Sequence, residues 1–525
     1  VSTHSTQANP AEWRPSFNPW LIAMSVMLAT FLEVLDTTIV SVAQPNMAGG
    51  LGATNEEATW VLTSYLVANA IVLPATGWLA LRFGRKRFLL ICTGLFTLGS
   101  FLCGIAPTMS VLIAARILQG FGGGALMPIS QAILLESFPR EKQGIAMAAY
   151  GMGVIGAPIL GPLLGGWITD HYSWRWVFNI NIPLGILAIY MMARYVEDPP
   201  YVKNSRPGTV DGIGFGLLAL WLATLQIVLD KGQQEDWFSS NWIVWFSLIS
   251  IAALVALLVR ELRTPEPIVD LRVFLNRNFW VGTGVTAILM AGMYSALAML
   301  PLFLQTLLGY AAQSSGLATA PRGIGAMLAM PIAGILMSYV DGRWLISVGI
   351  ACVAASTLMF GNLTLDVSMA SIVWPNILQG LGMGLAMVPL MSMAVGALPN
   401  EKIGNGSGIF NLIRSLGGSI GISISTTYLV RMTQIHQANL VGHMTPYDPV
   451  FRQRLSTITG GLSRYSAGPV PRAQAYGLLY GILQQQSSIK AYVDMFCWTA
   501  LIIALCLPGV WLLKKVATKG SLTVH

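Results

Sequence analysis

Fourteen stretches of about twenty apolar residues, nearly free of charge, are spaced along this chain, and a run of about that length is what one helix needs to cross the hydrocarbon core of a bilayer. They lie near 19–43, 58–80, 88–107, 110–135, 143–168, 175–195, 211–230, 241–262, 279–305, 314–338, 344–363, 370–397, 403–430 and 490–513. A chain built this way can fold only with its backbone groups satisfied inside each segment, which means helices. The expected fold class is therefore all-α polytopic membrane protein. Composition agrees: 10% of residues are charged and mean hydropathy is +0.64, whereas a soluble domain carries about 25% charged residues. The first eighteen residues are polar and lead directly into the first apolar stretch, so no cleavable signal peptide is expected. The net charge of +8 follows from where the basic residues stand and is no nucleic-acid signal.

Those residues set the orientation. With alternate loops assigned to one side, that side holds Arg14, Arg82, Arg85, Lys86, Arg87, Arg140, Lys142, Arg194, Lys203, Arg206, Arg260, Arg263, Arg272, Arg277, Arg343, Lys402, Lys514, Lys515 and Lys519, while the short loops opposite hold only Arg175 and Lys231. Basic residues mark the cytoplasmic face, so both termini are expected inside. The chain also repeats itself. Ile117-Leu118-Gln119-Gly120-x-Gly122-x-Gly124 recurs 260 residues on as Ile377-Leu378-Gln379-Gly380-x-Gly382-x-Gly384, and Pro139-x-Glu141-Lys142-x-Gly144 recurs at the same offset. A duplicated six-span unit with two extra spans gives a 6 + 2 + 6 plan of two pseudo-symmetric six-helix bundles. The parts are an N-terminal tail (1–18), a first bundle (19–195), two inserted helices with their loops (196–278), a second bundle (279–513) that includes an outer loop (431–489), and a C-terminal tail (514–525). The stretch 472–489 in that loop has an amphipathic helical pattern.

Against this apolar background the ionisable residues stand out. Glu33 and Asp36 are three apart and share one helix face. Each charged side chain at mid-bilayer costs about 2.5–3.5 kcal/mol on insertion scales, so such carboxyls face a partner or a wet cavity and suit a proton carrier. The alternative is a buried hydrogen-bonding pair that fixes packing. Arg116 precedes Gln119 and Gly120 in the fourth span; its permanent charge is placed to tune a nearby carboxylate. Its repeat mate is Asn376, which puts the charge, and the expected coupling, in the first half. Arg322 and Arg414 are two more intramembrane cations, for substrate contact, charge balance or structural pairing. Between the second and third spans runs Gly77-x-x-x-Leu81-Arg82-x-Gly84-Arg85-Lys86-Arg87, a basic turn that anchors the inner face or clamps helix ends. In the fifth span, Gly156, Pro158, Gly161, Pro162, Gly165 and Gly166 give a helix of small residues and prolines. Such a helix packs closely and is expected to be kinked, as a hinge or as a plain packing face. Mid-span methionines such as Met127, Met152 and Met293 suit a pliable cavity or ordinary packing. Gly122-Gly123-Gly124 sits in a span and follows no strand, so it is no phosphate loop. The five cysteines have neither metal nor disulfide spacing and read as core residues. No catalytic constellation and no cofactor site is expected.

The fifth-span segment resembles the antiporter motif of the major facilitator superfamily. Residues 35–45 resemble a first-span motif of multidrug proton antiporters, Arg116-x-x-Gln119-Gly120 resembles the R-x-x-Q-G motif of proton-coupled facilitators, and the loop from Gly77 resembles the superfamily's cytoplasmic signature, with Leu81 where many members have Asp. The whole resembles the fourteen-span drug:proton antiporter group, the EmrB/QacA type. That resemblance implies a bacterial inner-membrane transporter exchanging protons for amphiphilic drug-like compounds, working with a periplasmic membrane-fusion adaptor and an outer-membrane channel and surrounded by lipid. A transporter for one specific metabolite and a non-transport membrane scaffold stay open beside it.

Overall fold

A computed structural model describes residues 15–139, 142–198, 211–264, 267, 269–310, 312–442, 444–463 and 470–514. In chain order its helices are α1 (Pro19–Leu51), α2 (Asn55–Phe83), α3 (Arg85–Gly104), α4 (Met109–Gly123), α5 (Leu126–Ser137), α6 (Gln143–His171), α7 (Trp176–Asn179), α8 (Asn181–Tyr195), α9 (Gly212–Lys231), α10 (Asn241–Arg263), α11 (Arg277–Thr306), α12 (Ala312–Thr319), α13 (Pro321–Leu336), α14 (Gly342–Phe360), α15 (Met369–Val395), α16 (Asn400–Val441), α17 (Pro449–Leu462), α18 (Val470–Ala504) and α19 (Leu507–Val510). The described residues contain no β-strand. The helices start where the sequence supplies caps. Asn18 accepts from the backbone of Trp20 at 2.9 Å, and Thr54 with Glu57 forms a capping box at the head of α2.

Among the described residues thirteen helical spans are long and apolar enough to cross a membrane. The expected span 403–430 lies on α16, 42 residues long, which is not among them because serines, asparagines and glycines dilute its apolar face. The expected fourth span is two helices, α4 and α5, separated at Gly124–Ala125: the glycine triple interrupts the helix it lies on. Pro158 and Pro162 do not divide α6, which is one helix of 29 residues. The outer loop expected at 431–489 is largely helical, made of the end of α16, all of α17 and the start of α18. Arg140, Glu141, Lys203, Arg206, Lys515 and Lys519 lie outside the described residues.

The helices form two groups, and one apolar cluster runs through both, from Leu73 and Ala132 to Leu390 and Phe410. α1 packs on α5, α6 and α8, and α4 on α2 and α3; α15 packs on α13 and α14, and α11 and α18 on α16. The groups meet along α2–α16, α5–α16 and α6–α13. Glycines set the spacing at two of these crossings. A Cβ on Gly77 of α2 would lie 2.6 Å from the backbone N of Asn405, and one on Gly334 of α13 would lie 2.8 Å from the carbonyl O of Gly144. The inserted pair α9 and α10 pack on each other, and α9 also touches α2 and α16. Lys231 sits 5.5 Å over the Trp60 ring, and Trp237 donates to Thr427 at 3.0 Å. The insertion therefore straddles the seam between the two groups.

Candidate functional site

The polar centre of the first bundle is built from five helices around one ion pair. Arg116 on α4 and Asp36 on α1 are both 0% exposed, and Arg116 Nη1 meets Asp36 Oδ2 at 2.5 Å. Arg116 Nη1 also donates to Gln119 Oε1 at 2.6 Å, and its Nε donates to the Val61 carbonyl on α2 at 2.9 Å. The other carboxylate oxygen, Asp36 Oδ1, accepts from Gln119 Nε2 at 2.9 Å and from Asn181 Nδ2 at 2.8 Å. Both amides also reach Ser100 Oγ on α3, at 2.7 and 3.3 Å. The guanidinium lies 4.3 Å from the centre of the Tyr65 ring. Arg116 and Gln119 are one turn apart, so a single face of α4 carries both. Gly120 lets that face close on α2, since a Cβ there would sit 2.5 Å from the Tyr65 carbonyl. A buried ion pair is supported by hydrogen bonds to its remaining lone pairs and protons: Asp36 has three donors, while Arg116 Nη2 has no partner. Asn181 and Ser100 are absent from the expected set.

Glu33 belongs to a different environment. It is 8% exposed. Its Oε1 accepts from Asn69 Nδ2 on α2 at 3.0 Å, while Oε2 has no partner. The Arg414 guanidinium and the Met127 backbone amide, at the start of α5, also act on it. So the two carboxyls of α1 differ: one is locked inside the bundle, and the other has an oxygen free near the seam.

That seam is polar on one side. On α16, Ser407, Asn411 and Arg414 fall on one face and dock on α5. Gln131 Oε1 accepts from Asn411 Nδ2 at 2.7 Å and Ser407 Oγ at 3.2 Å, and Arg414 Nη2 approaches Met127 Sδ. At the repeat offset their mates are Met391, Met147, Gly151 and Val154, and the α6–α13 side is correspondingly apolar, around Ala148, Met330, Ala333 and Val388.

The small-residue face of α6 lies against α1 beside Asp36. A Cβ on Gly161 would fall 3.2 Å from the Ile39 amide, and one on Gly165 would fall 3.1 Å from the Ile39 carbonyl; Gly156 makes only ordinary contact and Gly166 faces open space. Pro158 is exposed, and the side chain of Pro162 lies outside the described residues. In the basic turn, Gly84 has φ +82°, a left-handed conformation that favours glycine. Arg85 is buried in an ion pair with Glu136 of α5. Lys86 donates through its backbone to Asp198 Oδ1 at 2.8 Å and through Nζ to the Ala193 carbonyl at 2.6 Å. Arg82 is exposed. These contacts tie the turn to α5, α8 and Asp198, while Gly77 makes a cross-bundle contact at Asn405.

In the second bundle the repeat logic is modified. Asn376 does occupy the position of Arg116, but Arg322 reaches it from α13, donating from Nη2 to Asn376 Oδ1 at 2.8 Å. Each bundle therefore has a buried arginine, supplied by a different helix.

Helix composition, the two facing bundles and the buried charges together define a polytopic transporter scaffold. A family model described as "Major Facilitator Superfamily" matches residues 26–422, and the chain belongs to that family. It is 38% identical over 432 residues to the multidrug export protein EmrB of Haemophilus influenzae, covering 82% of this chain and 84% of that protein. It is 35% identical to EmrB of Escherichia coli K12, covering 95% and 96%, and 34% identical to the fatty acid resistance protein FarB of Neisseria gonorrhoeae, covering 95% and 97%. Among solved structures it is similar in fold to the human organic anion transporter MFSD10, with a TM-score of 0.60 at 12% identity over 93% of this chain and 100% of that one. The proton:xylose symporter XylE gives 0.57 at 14% identity over 92% and 94%.

Proposed function

We propose that this protein is a proton-coupled multidrug exporter of a bacterial inner membrane, with both termini cytoplasmic and a 6 + 2 + 6 helix plan. The observation that carries the reading is the Asp36–Arg116 pair. A carboxylate and a guanidinium at 0% exposure in an apolar bundle are expensive to bury, and a packing role alone would be filled by apolar side chains at no such cost. Protonation of Asp36 releases Arg116 and removes the negative charge from five helices at once. Glu33, nearer the seam, is the second carboxyl in line. The two bundles then rock about the midplane, with the α6–α1 face sliding on its glycines and the Gly77 crossing closing the cytoplasmic side. One proton moving through 100 mV supplies about 2.3 kcal/mol, roughly a 50-fold gradient of a neutral compound. The names of the EmrB relatives support drug-like substrates; FarB's extends the range toward amphiphilic acids. No cofactor is needed beyond the proton gradient.

The helical segment beyond the membrane, from Arg431 through α17 to the start of α18, is the proposed contact for a periplasmic membrane-fusion adaptor leading to an outer-membrane channel. Deleting residues 443–469 should abolish adaptor copurification while leaving dye transport in proteoliposomes intact; unchanged copurification would sink the partner assignment. For the export reading, proteoliposomes with an imposed proton gradient should concentrate ethidium, and nigericin should abolish that. Uptake indifferent to the gradient would refute proton coupling.

A further inference from the structure

In the first bundle, the charge of Arg116 is answered by Asp36 and flanked by Gln119. The second bundle reproduces two thirds of this arrangement. Gln379 stands at the repeat position of Gln119, one turn beyond Asn376 on the same face of α15, and Arg322 is bonded to Asn376. The third part differs: among the described residues no carboxylate pairs with Arg322. Arg322 is 7% exposed, and its Nε and Nη1 have no hydrogen-bond partner. Gln379 is 0% exposed, and neither its amide nitrogen nor its oxygen has a partner. The helices are held close here. A Cβ on Gly380 would collide with the Arg322 carbonyl, and one on Gly384 would lie 2.7 Å from the Ala329 Cβ.

A guanidinium does not escape this burial by losing its proton. An isolated buried charge and unmet buried donors are both strongly disfavoured. We propose that Arg322 and Gln379 bind a monovalent anion, which takes the role that the Asp36 carboxylate has in the other bundle. Nε–H and Nη1–H lie on opposite edges of the guanidinium, so each is free to donate singly to a carboxylate oxygen, and the Gln379 amide on the adjacent α15 is a further unmet donor. The same donors accommodate a halide. The anion comes either from salt, as chloride, or from the head group of an amphiphilic acid. The site is independent of proton coupling at Asp36, and its test reads binding and not transport.

The experiment is thermal unfolding of the full-length protein in nanodiscs, titrated with sodium chloride or sodium decanoate against a background of sodium sulfate, a divalent anion, at fixed ionic strength. Variants are Arg322→Met, Gln379→Leu and, as a control for general salt effects, Arg431→Gln on the exposed end of α16. A saturable rise in Tm is expected for wild type and for Arg431→Gln, weakened about tenfold in midpoint for Gln379→Leu, and absent in Arg322→Met. In sulfate alone Arg322→Met should melt higher than wild type, because it removes an uncompensated buried charge. That sign also shows the variant is folded. Saturation by chloride alone identifies the salt anion, and saturation by decanoate alone identifies the amphiphilic acid. No saturable response to either anion, or an unchanged response in Arg322→Met, overturns the proposal.

Discussion

Replacing Asp36 with asparagine changes one atom in a fully buried carboxylate that accepts three hydrogen bonds, and the consequence is calculable. Asp36 accepts at 2.5, 2.8 and 2.9 Å from Arg116, Asn181 and Gln119. An amide keeps one acceptor and turns the other into a donor. If the amide oxygen faces Arg116, the NH₂ meets the Gln119 and Asn181 amides; if it is turned round, it meets the guanidinium. Either way at least one donor loses its acceptor, and Arg116 is left at 0% exposure without a counter-charge. Breaking a buried pair by removing one partner costs about 3–5 kcal/mol. Adding Arg116→Met removes the stranded charge, so the double variant should be more stable than Asp36→Asn alone, with a coupling energy of about 2 kcal/mol or more. Reversible unfolding in mixed micelles, followed by tryptophan fluorescence, measures all four proteins of the cycle. A loss under about 1 kcal/mol for Asp36→Asn, or additive single effects, would refute the view that this pair is a mutually dependent unit.

The seam yields two further predictions. Gln131→Leu removes the acceptor that Ser407 and Asn411 share, leaving them the Pro128 and Ser407 carbonyls, at about 0.5–1.5 kcal/mol for each bond lost; labelling of a cysteine placed at the buried position Met127 should become several-fold faster, and an unchanged rate would show that the bonds do not hold the seam shut. Gly77→Val cannot fit against Asn405, so the two bundles should be held apart there, and disulfide crosslinking between cysteines at positions 76 and 405 should fall sharply. A third concerns the inserted pair. Arg260 donates to both oxygens of Asp211 at the head of α9, which holds the Asp211 carboxyl below the usual aspartate range. Because the folded value lies below the unfolded one, the stabilisation is present above the ordinary aspartate pKa and is lost as pH falls through the lowered one. Wild type should therefore lose more Tm than Asp211→Asn on acidification to that range, and parallel curves would count against the clasp.

Legibility followed charge. Asp36, Arg116 and Gln119 could be singled out because ionisable residues in an apolar run have few explanations, and they do come together. Ser100 and Asn181 complete the same network but are single neutral groups in apolar stretches, where serine and asparagine often bond their own helix. The repeat revealed that Asn376 stands where Arg116 does, but not that a neighbouring helix supplies Arg322 to that position; linear offsets within one helix are blind to a side chain arriving from another. The seam was hidden for a related reason. Gln131, Ser407 and Asn411 are ordinary residues until two bundles face each other, and only then do they form a row. The small residues of α6 were visible, and so was the close approach they permit. Their two prolines nonetheless sit in one unbroken helix, as neighbouring helices make possible inside a membrane.

The most direct test of the central claim is proton release from sealed proteoliposomes. With an imposed proton gradient and a trapped pH dye, adding a lipophilic substrate such as ethidium should trigger proton movement in wild type and none in Asp36→Asn at matched incorporation. Release that persists undiminished in Asp36→Asn would take proton coupling away from the Asp36–Arg116 pair and contradict the account.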